Sequence, residues 1–171
     1  MPKIRTLSRT FLKGHPRAGE KTYFVEQFLN SMGIDFTAKA YLNSLYELNP
    51  HITDMDITVF WIGLNWDITA SKEHTIRKNH HFNKGDFISL RCWAGKPYNS
   101  QKIILTQPVK VKNTWDFKIS DGDYFLNGKK LNLSDIKKIA ANDGLAVEDF
   151  ELWFPDKFTG QIICWNNLII Y

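Results

Sequence analysis

The sequence predicts an α+β fold in which the strands of a sheet or barrel are joined by helices inserted late in the chain. Apolar residues recur at helical spacing near the N-terminus, whereas β-branched and aromatic residues form strand-like runs from residue 77 onward. These strands follow one another instead of alternating with helices, which is typical of α+β folds and not of parallel α/β folds.

The chain has 171 residues, of which 43% are hydrophobic and 23% charged. This length and composition favour one globular domain and exclude low-complexity and largely disordered classes. We predict a single domain over 1–171, with an N-terminal helical extension over 1–69 and a barrel core with late helices over 70–171. No run is apolar enough to span a membrane and the N-terminus lacks a secretory signal, so a cytoplasmic protein is expected.

The N-terminal third is predicted to contain a basic loop and two helices. The loop ends at His15 to Gly19, where Pro and Gly favour turns. Apolar spacing predicts helices over 20–31 and roughly 37–48, with stops at Gly33 and at Asn49-Pro50. Residues 54–69 are apolar and aromatic without clear periodicity, and the pattern does not assign their structure.

The later elements are predicted from turn residues and caps. Three runs rich in β-branched and aromatic residues are predicted as antiparallel strands: 87–93, 101–111 and 114–119. Ser134 is the predicted N-cap of a helix that continues to Ala141 and ends before Gly144. A further helix is predicted over about 147–154, and a final strand over 160–171.

Charge and cysteine content narrow the function classes only slightly. Lys and Arg exceed Asp and Glu by 22 to 18, which permits binding to a polyanion without requiring it. Cys92 and Cys164 each lie alone in an apolar run and are predicted to be reduced core residues. His74, His80 and His81 lack carboxylates or cysteines at ligand spacing, so neither a metal nor a cofactor is expected.

The segment from Lys72 to Arg77 carries the residues best suited to chemistry. In an extended strand Thr75 and Arg77 project to one face, and Lys72 joins them only if a turn precedes the strand. Because Arg77 stays protonated, a nearby Lys72 would have its pKa lowered toward that of a useful base. A threonine hydroxyl needs such a base to act as a nucleophile. A solvated edge strand with no chemistry explains the same pattern.

The motif Lys72-x-x-Thr75-x-Arg77, followed by Phe82-x-x-Gly85-Asp86 and an apolar strand, resembles the opening of the ASCH domain, a small β-barrel of the PUA-like superfamily. The resemblance continues through a helical segment (139–145 and 150–154) and a closing strand (160–165), and covers most of residues 70–171. It implies binding of RNA or a modified nucleoside, because PUA-like domains mostly bind RNA. It also implies an alternative, since some small ASCH members are amidohydrolases that remove acyl groups from the exocyclic nitrogen of cytidine.

The resemblance implies a role for each matching residue. Lys72 matches the general base of the hydrolytic members, Thr75 matches the nucleophile, and Arg77 matches the arginine that completes the motif and would contact the ligand. Asp143 stands where the family usually has the glutamate that partners the lysine. Read without the family, Asp143 beside Gly144 is ordinary turn chemistry.

The chain departs from the family pattern in three respects. Ala70 stands where glycine is common, Asp143 is one methylene shorter than glutamate, and residues 1–69 exceed what a minimal domain needs. The shorter acid could disturb a proton relay that must close to about 3 Å. Because of this substitution and the enlarged architecture, the sequence ranks a binding module above an amidohydrolase.

Four residues outside the motif are further candidates for ligand binding: Trp93, Trp153, Lys13 and Arg17. The two tryptophans could stack a base, and the two cations, with His15 between them, could clamp phosphates. Core tryptophans and a solvated loop are the alternative interpretations. A third functional hypothesis, a protein-interaction module, rests on the aromatic run through Trp61 and Trp66.

Overall fold

A computed structural model describes all 171 residues as an α+β protein with five helices and nine strands in two sheets. In chain order the elements are β1 (Lys3–Thr6), α1 (Phe24–Ser31), α2 (Lys39–Leu48), α3 (Asp54–Ile62), β2 (His74–Lys78), β3 (Phe87–Trp93), β4 (Lys102–Ile104), β5 (Val109–Lys110), β6 (Asn113–Ser120), β7 (Asp123–Leu126), β8 (Lys129–Lys130), α4 (Leu133–Asn142), α5 (Val147–Trp153) and β9 (Phe158–Cys164). The predicted α+β class is confirmed.

The chain divides into two compact units. The first comprises Met1–Ser71 and Phe87–Val109, and the second comprises Lys72–Asp86 and Lys110–Tyr171. The strand orders of both sheets are open, so the predicted barrel stays a prediction. None of the five helices has the length and apolar character that a membrane crossing requires.

The sheet of the first unit is centred on β3, which pairs in parallel with β1 and antiparallel with β4, while β5 also pairs with β3. Strand β1 was not predicted, because a short, charged segment carries no alternating pattern. The predicted strand over 101–111 is divided into β4 and β5 around Pro108, which has no N–H for a ladder. Alternate residues of β3 are fully buried, including Ile88, Leu90 and Cys92.

Two of the three helices in the first unit were predicted, and the third lies in a segment to which the sequence assigned no structure. Helices α1 and α2 begin later than predicted and end at the predicted residues, Ser31 and Leu48. Helix α3 lies in the stretch that the pattern left unassigned. It buries Ile57 and Phe60 but leaves Val59, among others, exposed, so no apolar stripe marks it.

The second unit contains an antiparallel sheet with the strand order β2-β9-β6-β7-β8. Strand β9 lies between β2 and β6, and Gly160 in it lies opposite Lys78 of β2. A Cβ atom at Gly160 would lie 2.1 Å from the carbonyl oxygen of Arg77, so only glycine permits this close approach of the two strands. Helix α5 packs on the sheet through Phe150, whose ring centroid is 6.1 Å from that of Phe117.

Two predicted boundaries in the second unit are wrong. Helix α4 is capped by Asn132 and not by Ser134, because Asn132 and Asp135 form a reciprocal capping box. Strand β9 ends at Cys164 and does not continue to Tyr171, since the chain after Cys164 leaves the ladder. The short strands β7 and β8 were not predicted.

Candidate functional site

The candidate site is built around an ion pair in the interior of the second unit. Lys72 Nζ lies 2.6 Å from Asp143 Oδ1 and also donates to the Asp143 backbone carbonyl. Lys72 is 1% exposed and Asp143 is 3% exposed, so neither charge is solvated by bulk water. The expected partnership of these residues is therefore present, and the shorter aspartate reaches the lysine.

Main-chain contacts hold both partners in place. Asp143 is the C-cap of α4, and the following Gly144 has a φ of 81°, which turns the chain there. Residue Glu73 donates its N–H to the Asn142 carbonyl at 2.8 Å, which fastens the segment before β2 to the end of α4. The Ile76 backbone N–H also acts to lower the pKa of Asp143, which places this carboxyl group near β2.

Burial shifts the pKa values of the pair toward the neutral forms. Loss of solvation lowers the pKa of Lys72, and the nearby Asp143 charge opposes this shift only in part. Loss of solvation likewise raises the pKa of Asp143 against the influence of Lys72 and Arg77. A lysine whose pKa is lowered in this way is more readily available as an unprotonated base.

His74, which the sequence suggested only as a possible metal ligand, is also a member of this cluster. It is fully buried, and neither ring nitrogen has a hydrogen-bond partner. Its Nδ1 lies 3.8 Å from Asp143 Oδ1, which is beyond hydrogen-bond distance. Burial and the neighbouring Lys72 charge hold the pKa of His74 well below its usual value, so the ring is neutral.

Tyr171 and Trp115 form an aromatic wall beside His74. The Tyr171 ring meets His74 edge-on at 5.7 Å between centroids and meets Trp115 at 4.9 Å. Its hydroxyl accepts a hydrogen bond from Asn142 Nδ2 at 2.9 Å, and burial raises the pKa of that hydroxyl. No short-range signal in the sequence connects Tyr171 with residue 74, so this contact could not be predicted.

Thr75 and Arg77 lie on β2 as expected. They pair with Ile163 and Gln161 of β9 and share one face of the sheet. Thr75 is 3% exposed, whereas Arg77 is half-buried and interacts electrostatically with both Lys72 and Asp143. The three residues of the motif and their acidic partner Asp143 thus lie in or directly beside β2.

The other predicted ligand residues are dispersed between the units. Trp153 is half-buried at the end of α5 in the second unit, whereas Trp93, Lys13 and Arg17 belong to the first unit. Arg17 pairs with Glu20 at 2.7 Å, and Lys13 is exposed.

The intervening His15 is held by contacts within its own loop. It is buried and packs on the Phe11 ring at 4.6 Å between centroids, and its Nδ1 accepts the Arg17 N–H. The loop is therefore ordered by its own contacts, and a phosphate clamp here stays a prediction.

The histidines and cysteines are not grouped in a way that suits a metal ion. The structure holds no group of three or more His, Cys, Asp or Glu side chains arranged for a metal ion. His80 lies at the surface, where its Nε2 is 3.1 Å from Asp116 Oδ1. Both cysteines are free and buried, as predicted.

Comparison of the chain with protein-family models, with curated proteins and with solved structures finds no match in any of the three.

Proposed function

We propose that the chain is an ASCH-type, PUA-like domain, with its barrel in residues 70–171, that binds a base of RNA or of a modified nucleoside at the Lys72–Asp143 cluster. The observation that supports this proposal is the 2.6 Å contact between Lys72 and Asp143 beside the strand that carries Thr75 and Arg77. These are the positions at which the sequence resembles the ASCH motif.

The cluster offers the groups that recognition of a base requires. Lys72 and Arg77 supply donors, and Asp143 and neutral His74 can accept or donate according to protonation. Glu73, Arg77 and Tyr171 are half-buried neighbours of the buried pair, and a ligand would approach through them. The aromatic rings of Tyr171 and Trp115 provide surfaces of the kind on which bases stack.

Amide hydrolysis is a second candidate function, and the lowered pKa of Lys72 favours it. In this reaction the Thr75 hydroxyl oxygen attacks the acyl carbon of an N4-acylcytidine while the Lys72 amine takes the hydroxyl proton. The carbon–nitrogen bond breaks, and Lys72 returns the proton to the departing amino group. Water then hydrolyses the Thr75 ester, which releases a carboxylic acid and restores the hydroxyl.

One experiment distinguishes the two functions. Purified protein is titrated with N4-acetylcytidine by calorimetry, and release of cytidine and acetate is followed by chromatography. Thr75→Val keeps the shape of the side chain and removes the hydroxyl. Binding without turnover in the unmodified chain supports the binding module, whereas turnover that Thr75→Val abolishes without loss of binding supports the hydrolase.

A matched pair of lysine variants tests the location of the site. Lys72→Met removes the buried amine just before β2, and Lys78→Met removes an exposed amine at the end of β2. We expect Lys72→Met alone to lose ligand binding, with circular dichroism confirming that both variants fold. If neither N4-acetylcytidine nor a short RNA binds at low salt, or if the folded Lys72→Met variant binds normally, the proposal is wrong.

A further inference from the structure

The first unit contains a cavity of about 260 Å³ that belongs to neither of the proposed functions. Its chemically distinctive lining residues are Arg9, Lys21, Tyr23, Glu26 and Trp93. This volume is close to the lower end of the range of about 300–1,000 Å³ for drug-sized ligands, so the cavity suits a ligand no larger than a mononucleotide. Two cations, one acid and two aromatic rings around so small a space specify a ligand with both polar and planar parts.

Glu26 provides the most informative group in the cavity. It is only 6% exposed, and no lysine or arginine forms an ion pair with it. Its Oε1 accepts the backbone N–H of Asn65 at 3.1 Å, which orients the carboxyl group in the cavity wall. A buried carboxylate without a cationic partner is costly unless donors reach it, so this group is suited to N–H donors of a ligand.

Arg9 and Lys21 give the cavity its anion-binding character. The Arg9 guanidinium is positioned by a hydrogen bond from Nη1 to the Ala94 carbonyl at 3.3 Å and by the Phe60 ring, 5.2 Å away. Lys21 is exposed at the cavity rim. Two cations against one acid leave a net positive charge for an anionic group such as phosphate.

Tyr23 and Trp93 supply the planar surfaces. Trp93 is half-buried at the end of β3. Tyr23 has a φ of 58°, in the left-handed region that non-glycine residues seldom adopt. Such conformations are found at ligand-binding sites more often than elsewhere. This residue borders the cavity at the start of α1.

We propose that this cavity binds a cytidine 5′-phosphate group, either as a free nucleotide or at the end of an RNA strand. The exocyclic amino group of the base donates to Glu26, the ring contacts Trp93 and Tyr23, and the phosphate lies on Arg9 and Lys21. The small volume favours a pyrimidine, and the carboxylate favours cytosine over uracil, which presents an acceptor oxygen at the same position.

The test compares ligands that differ in one group. CMP and UMP differ at the amino position, cytidine lacks the phosphate, and a 5′-phosphorylated tetracytidylate carries the same group on a strand. We expect CMP to bind about tenfold or more tightly than UMP or cytidine by calorimetry. Binding of the tetracytidylate without binding of CMP would assign the site to RNA ends, and the reverse would assign it to free nucleotides.

Three variants locate the binding. Glu26→Gln retains an oxygen for the Asn65 N–H and should abolish the preference for CMP over UMP. Arg9→Gln should reduce CMP affinity to that of cytidine, whereas Lys39→Gln, at an exposed position of the same unit, should change neither.

The proposal is independent of the Lys72 site, and the experiment distinguishes nucleotide binding in this cavity from binding at Lys72. Equal binding of CMP and UMP, absence of binding for every ligand at millimolar concentration, or an unchanged preference in Glu26→Gln would each overturn it. Loss of CMP binding in Lys72→Met but not in Glu26→Gln would assign the nucleotide to the other site.

Discussion

Lys72 and Asp143 are separated by 71 positions in the sequence, yet Lys72 Nζ lies 2.6 Å from Asp143 Oδ1 in the protein interior. A buried ion pair is seldom the most stable way to fill such a space, because loss of solvation offsets most of the attraction. The opposite pKa shifts of the two groups reflect this cost. Perturbed pairs of this kind are concentrated at functional sites, which favours a functional role for Lys72 and Asp143.

Removing one partner of the pair should destabilise the protein strongly. Lys72→Met leaves Asp143 buried without its cation, and we expect a loss of about 3–5 kcal/mol in the free energy of unfolding. Asp143→Leu, which leaves Lys72 unpaired, should have a loss of similar size. The double variant should lose less than the sum of the two, because no charge is left buried alone. Urea denaturation measures all three, and additive losses would contradict the prediction.

His74 should make the protein sensitive to acid. Its pKa in the folded chain is held well below the usual 6.5, so between these values the unfolded chain binds a proton that the folded chain does not. The free energy of unfolding should therefore fall as the pH drops below 6.5, by up to about 1.4 kcal/mol per pH unit. Urea denaturation at several pH values measures this slope.

A pair of histidine variants isolates that contribution. His74→Leu should be less sensitive to acid than the unmodified chain, whereas His51→Leu, at an exposed position, should retain the sensitivity. The raised pKa of Asp143 acts in the opposite direction, because the folded chain then binds the extra proton. An unchanged pH slope in His74→Leu would show that His74 does not titrate as inferred.

Gly160→Ala should weaken the junction between β2 and β9. The added Cβ atom would lie 2.1 Å from the Arg77 carbonyl oxygen, and the strands must separate to accommodate it. Overpacking of this kind costs roughly 1–3 kcal/mol. We expect a lower melting temperature and faster amide exchange in β2 by NMR. Gly95→Ala, which has only a serine side chain nearby, is the control. Equal stability of the two variants would exclude the close approach.

Both cysteines should resist alkylation in the folded protein. Burial raises the pKa of the Cys92 thiol to about 12 and that of the Cys164 thiol to about 11. The reactive thiolate is therefore scarce at pH 8, and access is blocked as well. Mass spectrometry should detect labelling by iodoacetamide only after denaturation in urea. Rapid labelling of either residue in the native protein would disprove the assignment.

Local patterns were sufficient to predict most of the regular elements. Phe87–Trp93 has the alternation of a half-buried strand, and α1, α2 and α5 have apolar spacing or stop residues that mark their ends. Helix α3 could not be predicted, because Met55, Val59 and Ile62 are apolar yet exposed and obscure the helical spacing of the buried residues. The pairing of β1 with β3 could not be predicted either, because it joins segments that are far apart in the chain. The four residues of β1 also carry too little pattern to indicate a partner strand.

The candidate site likewise has features that the sequence predicts and features that only the tertiary structure determines. Alternation along a strand was enough to place Thr75 and Arg77 on one face, and the ASCH resemblance named Asp143 as the partner of Lys72. The buried, unpartnered state of His74 and its contact with Tyr171 depend on how α4 and the last residues pack in the second unit. The cavity around Glu26 depends equally on packing in the first unit. Residue type and spacing determine structure over a few neighbouring positions. The solvation of a side chain and its long-range contacts depend on the whole fold, and it is solvation and contact that shift a pKa or enclose a cavity.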